Sequence, residues 1–265
     1  MKQKKVFYSS VCFIFFILMI TGPGFLPAGE KPLPKAEIIL DKFVEATGGL
    51  SAYDKIQNRV TKATMEIAGA GIKITMTNWE AKPQKTFSTA ESAAIGKMEG
   101  GTDGIVVWEN SAMTGPQIFA GKHRASMLHL SIFDKYAYWR KAFNTVECVG
   151  MENVDDKPCY KIIATPKDTH PETLFFDKES NLLVKVKVTM EHPMGTMPME
   201  SYLEDYKTVD GILVPFRTKL KIMGQDRVVT LTGIEHNVKM PEDRFKFPKE
   251  IQDLLDKKKE KKEKK

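Results

Sequence analysis

Apolar residues between Ala36 and Thr47 recur at helical spacing. Ile38, Ile39, Phe43, Val44 and Ala46 form one stripe, and Gly48-Gly49 stops it, which predicts an amphipathic helix. A short second turn is expected over 51–57. The period then falls to two. Ala63, Met65 and Ile67 share a face, Gly69-Ala70-Gly71 turns the chain, and Ile72, Ile74 and Met76 alternate with Lys73, Thr75 and Thr77. That pattern predicts a hairpin with one apolar and one polar face. Segments 85–90 and 95–99 predict the next pair, and Gly100–Gly104 a turn into 105–109.

Helical spacing returns over 121–143, where Met127, Leu128, Leu130, Ile132 and Phe133 predict one or two helices, with Phe133, Tyr136, Tyr138, Trp139 and Phe143 crowding the end. From Thr145 the chain reads as a meander: 145–152, 158–165, 172–177, 182–191, 198–207, 212–223 and 226–237. Leu182, Val184, Val186, Val188 and Met190 alternate with Lys185, Lys187 and Thr189, as Leu220 and Ile222 do with Lys219 and Lys221. Sequential strands joined by hairpin turns imply an antiparallel sheet with one wet face. A helix from Glu250 dissolves into a Lys/Glu tail. The fold class is therefore α+β: a large curved antiparallel sheet covered by the N-terminal helix and the mid-chain helices. Those helices either fill the core or leave a pocket beneath them.

The amino terminus changes the picture. Lys2, Lys4 and Lys5 precede an unbroken apolar run, Val11–Ile20, then Gly22-Pro23-Gly24 and Ala28. This is the layout of a secretory signal over 1–28. An uncleaved anchor is the alternative; the strongly apolar part is short for a span, and Gly-Pro-Gly breaks a helix. Export removes enzyme classes that depend on ATP or nicotinamide. Cys12 has no small-residue lipobox before it and does not read as a lipidated cysteine.

The formal charge of +6 divides unevenly. Residues 1–28 contribute +3 and the Lys257–Lys265 tail +5, which leaves −2 for the body, 29–256. No nucleic-acid-binding face is expected. Cys148 and Cys159 fall on a hairpin turning at Asp155-Asp156-Lys157, with Cys148 expected opposite a residue near Ala164 and Cys159 near Asn153. That register holds the sulfurs apart and predicts two free thiols.

Helix, meander and mid-chain helices together resemble the LolA/LolB-like superfamily, and within it the outer-membrane lipoprotein-sorting proteins. The residues carrying the resemblance are Ala46-Thr47-Gly48-Gly49, Gly150 with Val154-Asp155, Cys159-Tyr160-Lys161, Glu204-Asp205-Tyr206, Asp210-Gly211, Val214-Pro215-Phe216 and Phe245-Lys246-Phe247-Pro248. It implies a periplasmic incomplete β-barrel (29–248), its concave face closed by a helical lid over a cavity for acyl chains. The charged tail (249–265, helical or disordered) and extra residues before the Cys148 hairpin depart from the dedicated carrier and leave the cargo open. Phe245 and Phe247 are expected on one strand face, as a clasp before the tail.

Catalytic patterns are missing from the sequence. The five histidines show no H-x-x-x-H or H-E-x-x-H spacing, and there is no G-x-S-x-G. Adjacent Glu204 and Asp205 point to opposite strand faces. The run Met190-Glu-His192-Pro-Met194-Gly-Thr-Met197-Pro-Met199 could hold Cu(I) through soft ligands, and more simply is a loop of adaptable apolar side chains. Trp108 and Trp139 are expected in the core. Arg59 either anchors the lid through loop carbonyls or is a solvated charge, the plainer reading.

The expected function is non-enzymatic binding or carriage of lipid or lipoprotein acyl chains, by a periplasmic monomer without metal or cofactor that meets an inner- or outer-membrane partner. The expected wall is Met65, Ile67, Ile72, Ile74, Met76, Val184, Val186, Val188, Met190, Leu220 and Ile222, under a lid of Met127, Leu128, Leu130 and Phe133. An envelope sensor or scaffold that binds a protein partner through the same fold is the alternative.

Overall fold

A computed structural model describes residues 32–192 and 195–263. The expected signal peptide lies outside them. Helix α1 (Ala36–Ala46) is followed by α2 (Leu50–Lys55). A first meander comprises β1 (Asn58–Ile67), β2 (Ile72–Ala81), β3 (Lys85–Ser92), β4 (Gly96–Thr102), β5 (Val107–Ser111) and β6 (Gly115–Ile118). Helix α3 (Gly121–Leu130), a run of turns and α4 (Trp139–Ala142) cross to the second meander. It holds β7 (Thr145–Val154), β8 (Lys157–Thr165), β9 (Glu172–Asp177), β10 (Leu183–His192), β11 (Gly195–Val209), β12 (Ile212–Ile222) and β13 (Gln225–His236), with α5 (Lys249–Glu263) last.

All strands join one 13-stranded sheet, in the order β6-β5-β4-β3-β2-β1-β13-β12-β11-β10-β9-β8-β7. The meanders meet where β13 pairs antiparallel with β1. β6 and β7 remain edges, so the sheet is open. Two of the resemblance-bearing motifs touch each other. Gly48, at φ +124°, ends α1 where a Cβ would stand 2.2 Å from the Gly211 carbonyl oxygen. The Thr47 carbonyl accepts a 3.0 Å bond from the Leu213 amide, and the Thr47 hydroxyl is held by Tyr53 at 2.9 Å.

The concave face is filled over β8–β10 and parts of β7, β11 and β12. Leu40 and Phe43 of α1, with Phe133, Trp139 and Phe143, pack on Ile162, Leu174, Phe176, Val186 and Val188. Burying a side chain of this size contributes about 1.5–3 kcal/mol. The outer face carries a second cluster of Val154, Cys159 and Phe175. Over the first meander, rings run in a row on the outer face: Trp79 lies 5.4 Å from Phe87, and Phe87 6.0 Å from Trp108. Gly101 pairs with both Phe87 and Trp108, and a Cβ on it would meet the Thr86 carbonyl at 2.2 Å. Arg244 stacks 4.4 Å above Trp79. Trp108 and Trp139 are both buried, as expected.

Several expectations change. Leu40, not the exposed Ile38, completes the buried stripe of α1. Gly100–Thr102 are part of β4, so that turn is shorter, and β6 is an additional strand. The methionine run is a hairpin rather than a loop: Met190 pairs with Met197 and Val188 with Met199, while Met194 lies outside the described residues. Phe245 and Phe247 lie in turns before α5 and not on a strand. A bulge between Cys148 and Gly150 moves the β7–β8 register, placing Cys148 opposite Ile162 and Cys159 opposite Glu152, and both thiols are free.

Candidate functional site

The expected wall divides into two groups. Met65, Ile67, Ile72, Ile74 and Met76 share the concave face of β1 and β2, where Met65 pairs with Ile74 and Ile67 with Ile72. Ile74 is buried and the other four are half-buried. Leu220 and Ile222 continue this face on β12, paired with Ser201 and Met199 of β11, and are also half-buried. In contrast, Val186 and Val188 are locked into the packed core, with Met190 against its edge.

Val184 is a correction. It packs with Val154, Cys159, Phe175 and Tyr202 on the outer face. A bulge between Leu183 and Lys185 breaks the alternation, and Leu183 turns inward in its place, 1% exposed. The Tyr206 hydroxyl fixes this kink by donating to the Leu183 carbonyl at 2.6 Å. Asp205, at φ +55°, bends β11 to aim it. The Glu204-Asp205-Tyr206 motif therefore acts through backbone geometry.

Two hollows lie against the helices and turns, and none of the expected wall residues lines either of them. One, of about 210 Å³, lies between β3–β5 and α3 and is lined by Ser88, Ala90, Met98, Phe119 and Met127 among others. The other, of about 200 Å³, lies between Phe43, Tyr53 and the 134–137 turn on one side and Tyr206, Ile212 and Val214 on the other. Of the expected lid residues, Met127 borders the first hollow, Leu128 and Leu130 are half-buried, and Phe133 is a core residue beyond the helix. The buried residues of α3 are Ser126 and His129 rather than its leucines.

The lid is tied down by charge. Glu172, 2% exposed, accepts from Lys135 Nζ at 2.6 Å and the Tyr136 hydroxyl at 2.9 Å, and lies 2.8 Å from His129 Nε2. Burial would raise this carboxyl, but hydrogen bonds and charge from His129 and Lys135 outweigh it and hold the group below its ordinary value. Glu172 thus joins α3 and the following turn to β9. Sequence reasoning missed it, although a signal was present: Glu172 shares a period-two face with Leu174 and Phe176, a carboxylate on the buried side.

Arg59 corrects the plainer expectation for that residue. Its side chain is 13% exposed and bonds Glu80 Oε2 and Asp134 Oδ1, each at 3.0 Å, with the guanidinium 4.8 Å over the Phe133 ring. It anchors the lid through carboxylates, not carbonyls. Burial pushes the Asp134 carboxyl up despite Arg59. Burial also lifts the Tyr53 phenol, to about 12. Further ties join Tyr138 to Asp54 at 2.7 Å and Arg140 to Asp41 at 2.7 Å through both nitrogens. The 131–143 segment is a pinned strap. The arrangement offers an apolar wall, two partly open hollows beside the helices, and polar clamps that hold the strap.

No protein-family model matches the chain, and no curated protein matches it. Solved structures do. A LolA superfamily protein from Nitrosomonas europaea aligns with a TM-score of 0.55 at 13% identity, over 81% of this chain and 99% of that one. A DUF1329 family protein from Desulfovibrio piger gives 0.53 at 15% identity, over 80% and 97%. A putative outer membrane lipoprotein-sorting protein domain from Vibrio parahaemolyticus gives 0.52 at 11%, over 83% and 99%. Likeness at such identities speaks for architecture, not activity. The chain has a LolA/LolB-like fold, as the open sheet and strapped helices indicate.

Proposed function

We propose that this protein shields the acyl chains of a lipid or lipoprotein outside the cytoplasm, as a non-enzymatic carrier. One observation carries the reading: helices fill one half of the concave face, while the other half keeps half-buried Met65, Ile67, Ile72 and Met76 and a 210 Å³ hollow under α3. Each methylene withdrawn from water contributes about 0.8 kcal/mol, so a long chain needs such a shelter to cross an aqueous compartment. Methionine suits a wall that accepts varied chain shapes. The exported amino-terminal layout and the lipoprotein-sorting name of one structural neighbour support the periplasmic setting.

The test is uptake of a fluorescent fatty acid, with native mass spectrometry of protein isolated from its own envelope. Ser88→Phe places a ring in the hollow and should abolish uptake while leaving the melting temperature near wild type. Uptake unchanged by that ring, or a cargo-free mass under gentle extraction, would count against the reading. A protein-binding scaffold is the second reading, favoured by one feature: Val149 and Met151, 45% and 44% exposed, stand on the open edge strand β7.

A further inference from the structure

The two ends of the sheet turn their hairpins with different chemistry. At one end lie the β4–β5, β7–β8, β9–β10 and β11–β12 connections. In the last three, left-handed backbone positions fall on Asp155, Asp156, Asn181 and Asp210, at φ +46°, +63°, +59° and +49°, with Gly211 following Asp210; the β4–β5 turn uses Gly104. Asp and Asn are the ordinary polar choice there. At the other end lie the β1–β2, β3–β4, β5–β6 and β12–β13 turns. Their tips are Ala68-Gly69-Ala70-Gly71, Ala93-Ala94-Ile95, Ala112-Met113-Thr114 and Met223-Gly224, without one charge. Strand order from β6 to β12 sets these four tips side by side along one edge. The β8–β9 connection at the same end is polar and stands apart, beyond β10–β11.

Met223 is the most telling residue. It sits at φ +51° before Gly224 at φ +79°, a turn for which Asn-Gly is the favoured pair. Methionine there strains the backbone and leaves its side chain 73% exposed, and Met113 is 79% exposed. Met223 is worse for the turn and worse for solubility, and Met113 repeats the exposure at the opposite end of the row of four tips, which points to contact with something apolar.

Charge and continuity name that surface. The turn acids Asp103, Asp155, Asp156, Glu179 and Asp210 lie at the far end; at the tip end Asp168 stands apart in the β8–β9 connection, and exposed Asp226 beside the β12–β13 tip faces Lys221 across the ladder. Exposed Lys73 and Lys97 behind the tips are paired with Glu66 at 3.6 Å and Glu99 at 2.6 Å, so burial rather than attraction must carry the binding. Wall residues Ile67, Ile72 and Ile222 run directly into the tips. Among the described residues no helix is long and apolar enough to cross a membrane.

We propose that this end docks on a lipid bilayer, with Met113, Met223 and the Ala/Gly tips entering the boundary between headgroups and acyl chains. The proposal rests on the acyl-chain reading for its purpose, since it sets the mouth of the wall against the lipid source. Its chemistry is tested separately.

The experiment is peroxide footprinting of the full chain, with and without vesicles of phosphatidylethanolamine and phosphatidylglycerol, read as methionine oxidation by mass spectrometry. Vesicles should slow oxidation of Met113 and Met223 several-fold and leave Met151, on the β7 edge strand, unchanged, and high salt should preserve the protection. Met223→Asn should weaken the protection of Met113 while holding or raising the melting temperature. Unchanged rates at both tips overturn the proposal. So does equal slowing of all three methionines, or protection lost in salt, which would assign binding to the Lys-rich α5. Protection that grows with protein concentration without vesicles would place a second copy at the tips and also overturn it. Fatty-acid uptake in solution is read independently, so docking and cargo binding can fail separately.

Discussion

Glu172 concentrates the energetics of the lid in one carboxylate. Removing its charge leaves Lys135, itself 7% exposed, without a counter-ion. Breaking a buried pair in this way costs about 3–5 kcal/mol, so Glu172→Gln should lower the urea midpoint accordingly. The pH dependence has a definite sign. The folded carboxyl holds its proton less tightly than the unfolded one, whose ordinary value is 4.5. Its contribution is therefore fully present above pH 4.5 and is lost as pH falls below it. Asp134 runs the other way: its raised folded value, above an ordinary 3.8, makes its contribution present in acid and lost as pH rises. Urea denaturation between pH 3 and 7 should show acid destabilisation in the wild type and a flatter limb in Glu172→Gln.

At the scale of elements, the junction of α1 with the β11–β12 turn is as close as any glycine contact in the fold. Gly48 needs both its left-handed backbone and its missing Cβ, because the Gly211 carbonyl occupies that space. Gly48→Ala should destabilise by more than the about 1 kcal/mol of a simple glycine effect, because helix or hairpin must shift. Thermal unfolding checks this, with Gly49→Ala, which meets nothing within 4 Å, as the milder comparison. Helix α3 differs from α1. It buries Ser126 and His129, and its carboxyl-terminal end is held by charge and by Gln84, which donates to the Leu128 carbonyl. Its leucines stay half-buried above the concave face, which suits a cover over variable contents better than a core helix.

Over the whole molecule, helices and sheet divide the work. The second meander is the rigid half, packed by α1 and the strap. The first meander keeps the hollow, its outer face is braced by the ring row under Arg244, and α5, whose Ile251 is fully buried, contacts its edge strand β6. Ile251→Ala should cost about 2–5 kcal/mol and free the carboxyl-terminal segment. Hydrogen exchange should then rise in α5 and in edge strand β6, and remain slow in β8–β10.

Periodicity alone determined the elements: the strands of the second meander fall within a few residues of their expected limits, because period-two burial is a local property of the chain. It also determined the antiparallel class and the apolar face of β1, β2 and β12, whereas the incomplete barrel followed only from the family resemblance. Tertiary structure decided the rest. Whether Val184 or Leu183 faces the core depends on a bulge fixed by Tyr206, a residue in another strand. Whether Arg59 is solvated depends on Asp134, which is far from it in sequence. Which apolar faces are filled and which stay open depends on where α1 and the strap come to rest. Alternation shows that a face is buried, but only packing between distant segments decides what buries it.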